Sequence, residues 1–123
     1  MKVLLVNGSP HEHGCTDTAL QEIARTLQQE GLDAEFFWIG NNPIGGCIAC
    51  GGCAKAGKCV FGGSVNDFAE KAKDADGFVF GSPVHYAAAS GNMTSFMDRL
   101  FYSAPKEYFR RKPAAVITSA RRA

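Results

Sequence analysis

Apolar positions recur along this chain in two alternating rhythms. Lys2 to Val6 is a short, nearly continuous apolar run that stops at Asn7-Gly8-Ser9-Pro10, the pattern of a strand buried on both faces and ending in a turn. From Thr16 onward Leu20, Ile23, Ala24 and Leu27 recur at helical spacing while Gln21, Glu22, Arg25 and Gln28 face the other way, and Gly31 supplies a stop. Ala34 to Ile39 predicts a second strand. Ser64 reads as the cap of a helix with Val65, Phe68, Ala69 and Ala72 on one face, Asp67 in its first turn, and Lys71 and Lys73 toward its end. Gly77 to Phe80 predicts a third strand, Met93, Phe96, Met97, Leu100 and Phe101 a strongly apolar third helix, and Ala114 to Thr118 a fourth strand.

Strands alternating with helices predict an α/β fold: a parallel sheet with helices on both faces and right-handed crossovers, whose ligands bind beyond the carboxyl ends of the strands. Every unusual segment falls at that edge: Ser9 to Thr16, Ser82 to Gly91, Ser119 to Arg122, and the long stretch from Gly40 to Gly63. The last is too long for a bare connection and reads as a functional insert.

Composition narrows the class without changing this picture. The 123 residues are 46% hydrophobic and 20% charged, enough for one domain with a core. Thirteen basic and 12 acidic residues leave a formal net charge of +1, so nothing points to nucleic acid or an anionic membrane as a partner. No apolar run approaches the length of a membrane span, and the opening residues run directly into the first strand. The expected location is the cytoplasm, where thiols stay reduced and clustered cysteines suggest metal or catalysis over structural disulfides.

The segment Asn7-Gly8-Ser9-Pro10-His11-Glu12-His13-Gly14-Cys15-Thr16 leads from a strand into a helix, so unpaired backbone N–H groups and the positive end of the helix dipole suit an anion such as phosphate. Ser9, Thr16 and Thr18 add hydroxyls. The segment lacks both the lysine of G-x-x-x-x-G-K-[ST] and the spacing of G-x-G-x-x-G, which argues against nucleoside triphosphates and Rossmann-type dinucleotides. An ordinary strand-to-helix turn is the plainer alternative. His11 and His13 are expected to be exposed.

Read together, Gly8-Ser9-Pro10-His11-Glu12-His13-Gly14-Cys15-Thr16, Gly81-Ser82-Pro83-Val84-His85-Tyr86 and the helix end Met97-Asp98-Arg99 resemble the flavodoxin-like NAD(P)H-dependent FMN reductases over essentially the whole chain. The resemblance implies a flavodoxin-like doubly wound parallel sheet of order 2-1-3-4. It implies an FMN phosphate held by Ser9, Cys15, Thr16, Asp17 and Thr18, a ring bordered by Pro83, Val84, His85 and Tyr86, and Ser119, Ala120 and Arg121 closing the other side. Tyr86 stacks on the ring or packs at the edge of the core; Arg121 or Arg122 is the candidate cation near the flavin's N1 edge. Cys15 stands where the family commonly has Asn. Family members continue beyond the fourth strand, so residues 1–123 read as a single domain lacking a fifth strand, either a truncated chain or one whose open edge a partner covers. The resemblance also implies a homodimer or homotetramer, although the third-helix aromatics that would serve it are equally well core residues.

Cys47, Cys50, Cys53 and Cys59 follow the spacing C-x2-C-x2-C-x5-C in a glycine-rich loop able to wrap a small inorganic core. Three cysteines in such close succession favour iron and sulfide over zinc, with a dithiol as a further alternative. The loop resembles that of the iron-sulfur flavoproteins, in which these four cysteines would hold a 4Fe-4S cluster. Two functions follow: an FMN-dependent oxidoreductase taking electrons from NADH or NADPH to an acceptor such as free flavin, a quinone, an azo compound or a protein, or an electron carrier pairing FMN with a cluster. A flavin-free metal-binding module is a third.

Overall fold

A computed structural model of the chain describes residues 1–121. The first strand, β1 (Lys2–Asn7), buries Leu4, Leu5 and Val6 completely, as a strand covered on both faces must. Its side chains alternate: Leu4 and Val6 enter one core cluster, Leu5 the other. Helix α1 (Cys15–Gln29) lays Leu20 and Ala24 on Leu5 and Val79, and Gly31 at φ 79° turns the chain out of it. Strand β2 (Asp33–Trp38) follows, one residue earlier than the pattern predicts. The long connection holds a single helical turn, α2 (Cys53–Ala56), which the sequence reading does not contain.

Helix α3 (Ser64–Lys73) starts as expected, but Gly63, at φ 79°, occupies the cap position and Ser64 is already helical, with no side-chain cap. Strand β3 runs from Gly77 to His85, five residues longer than the predicted Gly77–Phe80. Gly81-Ser82-Pro83-Val84-His85 is therefore strand, not loop. Its outer part pairs in parallel with β5 (Ala114–Ser119), Ser82 with Thr118 and Pro83 with Ser119, and folds back on the two-residue strand β4 (Ala88–Ala89). Helix α4 (Gly91–Ser103) and a 3-10 turn at Lys106–Tyr108 separate β4 from β5.

The parallel strands lie in the order β2-β1-β3-β5, which is the expected 2-1-3-4 with its fourth strand renumbered. The expectation of a missing fifth strand is corrected: the sheet has a fifth strand, β4, antiparallel to the end of β3. Among the described residues β5 pairs with β3 alone, and Val116 is 75% exposed.

The two faces are unequal. Helices α3 and α4 cover a cluster of 14 buried residues in which Phe68 meets Phe37, Phe78, Phe80 and Phe96 at ring-centroid distances of 5.1 to 6.3 Å. Each such ring contributes about 2–3 kcal/mol relative to exposure. Under α1 the corresponding cluster is Leu5, Leu20, Ala24 and Val79. Among the described residues no helix is long and apolar enough to cross a membrane.

Candidate functional site

Two regions meet the carboxyl edge of the sheet. The first begins where β1 ends. Asn7, 3% exposed, accepts from the Ser9 N–H (2.9 Å) through Oδ1 and donates to the Glu12 carbonyl (2.9 Å) through Nδ2, which folds the turn back on itself. Trp38 of β2 donates from Nε1 to the Ser9 carbonyl (2.8 Å). The Ser9 hydroxyl accepts from the His11 N–H (3.1 Å), leaving its own proton to donate. At the start of α1, Gly14 offers no side-chain cap, so the first amides of a 15-residue helix have no side-chain partner. Thr16 is 3% exposed, and its Oγ1 lies 3.4 Å from Oγ of Ser119 at the end of β5.

Two glycines permit this closeness. A Cβ on Gly8 would lie 2.7 Å from Met93 Sδ and 2.9 Å from Met93 Cβ, while one on Gly81 would meet Thr16, Leu20 and Ile117 at 3.0 to 3.3 Å. Ser90 locks the arrangement. Its hydroxyl caps α4 by accepting from the Met93 N–H (3.1 Å) and donates to the Gly8 carbonyl (2.7 Å), and its N–H donates to Ser82 Oγ (3.0 Å).

The remaining expected residues divide. Cys15 is exposed at the first position of α1, and Ser119, Ala120 and Arg121 follow the end of β5; Arg122 lies outside the described residues. Pro83 is half-buried and Val84 and His85 are exposed along the outer part of β3. Tyr86 is wholly exposed at a two-residue hairpin tip where it and Ala87 have φ of 45° and 66°, which rules out packing at the edge of the core. Asp17 turns its carboxylate to His13 (3.3 Å), within a cleft lined also by Glu12, Phe36 and Trp38. Both the hydroxyl and the amide of Thr18 donate to the Gly14 carbonyl, so neither is free for an anion. His11 and His13 are exposed, as expected.

The second region is the cysteine loop. Cys47, Cys50, Cys53 and Cys59 all line one pocket, walled by Val60, Phe61 and Tyr102 and closed beneath by Arg99 of α4. The pocket brings together four thiols, N–H groups aimed at sulfur, and a cation beside them. The Ala49 N–H donates to Cys47 Sγ (3.4 Å) and Arg99 Nε to Cys59 Sγ (3.3 Å). Burial raises the Cys59 thiol, but the Phe61 amide, the Arg99 guanidinium and the Gly62 amide together outweigh it and hold that thiol below its ordinary range. The four sulfurs share a pocket without closing on one point: among the described residues no group of three or more His, Cys, Asp or Glu stands close enough to hold a metal ion.

Sequence reasoning missed Asn7, Trp38 and Ser90. Ser90 was findable, since Ser three residues before Met93, the first position of an apolar helical period, is a cap signal. Asn7 acts locally, through Ser9 and Glu12, while Trp38 reaches the turn from β2, 29 residues along the chain.

The whole chain, residues 1–123, matches the family described as NADPH-dependent FMN reductase. An iron-sulfur flavoprotein of Methanocaldococcus jannaschii is 34% identical over 99 residues, which is 80% of this chain and 51% of that protein. One of Clostridioides difficile is 28% identical over 125 residues, 97% of this chain and 54% of the relative. The chain spans about half the length of the curated relatives it matches. A solved flavone reductase superposes with a TM-score of 0.73 at 20% identity, over 98% of this chain and 43% of that one. The NAD(P)H:(acceptor) oxidoreductase of Paracoccus denitrificans gives 0.64 at 18% identity, over 95% and 59%. At such identities the likeness speaks for the fold, which is flavodoxin-like. With the family match running from the first residue through the Ser9–Thr16 turn, the β3 extension and the end of β5, the chain belongs to the NADPH-dependent FMN reductase family.

Proposed function

We propose that this chain is the FMN-binding part of an NAD(P)H-dependent oxidoreductase. The observation that carries the reading is the meeting of Thr16 and Ser119, 103 residues apart, with their hydroxyls 3.4 Å from each other over the uncapped start of α1. A helix start with free amides and converging hydroxyls at the carboxyl edge of a parallel sheet suits a phosphate monoester. Ser9, Cys15, Thr16 and the Asp17 amide would hold the phosphate; Pro83, Val84, His85 and Tyr86 would border the ring, with Ser119, Ala120 and Arg121 on the other side. FMN, when bound, supplies the hydride and single-electron chemistry. NADPH or NADH would be the donor, and a second copy in a homodimer or homotetramer would cover the exposed ring edge. Five free thiols suit the reducing cytoplasm.

Anaerobic mixing of the protein, FMN and NADPH or NADH should bleach the flavin absorbance; failure with both nucleotides overturns the oxidoreductase reading. Thr16→Val should weaken FMN binding about tenfold by removing a charge-assisted hydrogen bond, read by flavin fluorescence titration.

The cysteine pocket favours a second reading, in which Cys47, Cys50, Cys53 and Cys59 hold a 4Fe-4S cluster and the protein relays electrons between it and FMN. The names of the M. jannaschii and C. difficile relatives support it. Anaerobic reconstitution should then give about four irons and four sulfides per chain. Zinc without sulfide would overturn this reading and leave the first intact.

A further inference from the structure

The four cysteines of the pocket are held very differently. Cys47 and Cys50 are exposed, and the hydrogen bonds around them are local, from the Ala49 N–H to Cys47 and from the Ala54 N–H to the Gly51 carbonyl. Cys59 is instead tied to two helices. From α4, Arg99 reaches Cys59 Sγ with Nε (3.3 Å) and the Gly62 carbonyl with Nη2 (2.6 Å). From α3, Asn66 donates from Nδ2 to the Cys59 carbonyl (2.8 Å).

The Asn66 contact shows which way this arrangement is set. Its Oδ1 is buried without a partner, yet flipping the amide would turn that oxygen onto the Cys59 carbonyl and lose the bond. An unpaired buried acceptor is thus retained in order to hold Cys59. Arg99 adds what a simple loop brace does not need. The Gly62 carbonyl alone would pin the loop, whereas the second arm of the fork sits on the sulfur, which only a planar guanidinium reaches at the same time.

We propose that Arg99 is a positioning residue for the cysteine centre, fixing Cys59 as a preset ligand toward which the open Cys47–Cys53 segment closes. This rests on the iron-sulfur reading above. The guanidinium also brings positive charge to a thiolate-rich site, where it stabilises the electron-rich form. The fork and the charge are separable by substitution, since lysine keeps the charge but cannot bridge sulfur and carbonyl together.

The test compares wild type, Arg99→Gln and Arg99→Lys as full chains, with circular dichroism confirming that each is folded. In protein before reconstitution, amide exchange across residues 59–63 should quicken about tenfold in both variants, reflecting the lost bonds. After anaerobic reconstitution with ferrous iron and sulfide, both should retain less iron than wild type, with Arg99→Gln losing more than half. The midpoint potential of the remaining centre should fall in Arg99→Gln and stay near wild type in Arg99→Lys, a split that a purely structural brace would not produce. Wild-type exchange, iron content and potential in Arg99→Gln overturn the proposal. Wild-type protein that takes up no iron and sulfide overturns the iron-sulfur reading instead; exchange then decides for Arg99 alone, quickening upholding its hold on Cys59 and unchanged rates overturning it.

Discussion

The phosphate turn and the cysteine loop lie at the same edge of the sheet but are built in opposite ways. Around the turn, buried Asn7, Thr16, Ser82 and Ser90 have hydrogen-bond partners, Gly8 leaves no room for a methyl group and Gly81 very little. In the loop, a Cβ on Gly45, Gly51 or Gly57 would meet nothing within 4 Å. Although Asn92 of α4 bonds the Ile44 N–H and the Asn42 carbonyl, Cys59 alone of the four cysteines is hydrogen-bonded to α3 and α4. The turn is already fixed by its own hydrogen bonds, whereas most of the cysteine loop is not. A region of the first kind contributes to folding before any ligand arrives; one of the second kind exchanges stability for the freedom to close.

The sharpest way to break this contrast is at Ser90. Ser90→Ala removes the cap of α4 and strands the Gly8 carbonyl, and should cost about 3 kcal/mol of stability in urea unfolding, the sum of a lost cap and a buried unsatisfied acceptor. Gly8→Ala tests packing in place of hydrogen bonding. Its methyl group would press on Met93 and should cost about 2 kcal/mol, with a matching fall in Tm. On the loop side, Cys47→Ser with Cys50→Ser should move the stability of the cofactor-free protein by less than about 0.5 kcal/mol, since both side chains are exposed. A loss comparable to that of Ser90→Ala would erase the distinction.

The smallest effect lies away from both regions and calibrates them. Glu35 on β2 is held below the usual carboxylate range chiefly by its hydrogen bond to Lys71 (2.8 Å), against the opposing effect of burial and with help from Lys2 (3.3 Å). A depressed carboxylate adds stability above its unfolded pKa, near 4.3, and that stability is lost as pH falls through the lower folded value. Glu35→Gln should therefore flatten the acid limb of the stability curve below about pH 5, by less than about 1 kcal/mol for so partial a burial.

Much of this architecture was legible in the residues. Leu20, Ile23, Ala24 and Leu27 marked the face of α1, and the apolar run of β1 marked a doubly covered strand, because burial imposes its period on the sequence. The length of β3 was hidden, since Gly81-Ser82-Pro83 reads as a turn. Proline is tolerated there because β1 pairs no further than Gly81, so Pro83 has a ladder partner on the β5 side only. The hairpin to β4 escaped notice because Tyr86-Ala87 lacks the Asn-Gly signature of its turn. For the site, residue type and spacing in the Ser9–Thr16 segment and the four cysteines carried the readings proposed for them. The contact of Arg99 with Cys59 joins positions 40 residues apart and is fixed only by how α4 packs beside the loop.

The thin cover beneath α1 has a consequence for how ligand and fold communicate. A helix resting on so small a cluster is the first element expected to detach in a partial opening, and it carries at its own start the uncapped amides of the proposed phosphate seat. Detachment would dismantle the phosphate seat, so by linkage an occupied seat must oppose detachment. A phosphate bound there, as proposed, would act as a clasp for a whole face of the sheet, and ligand affinity and the survival time of that face would become one quantity measured from two ends.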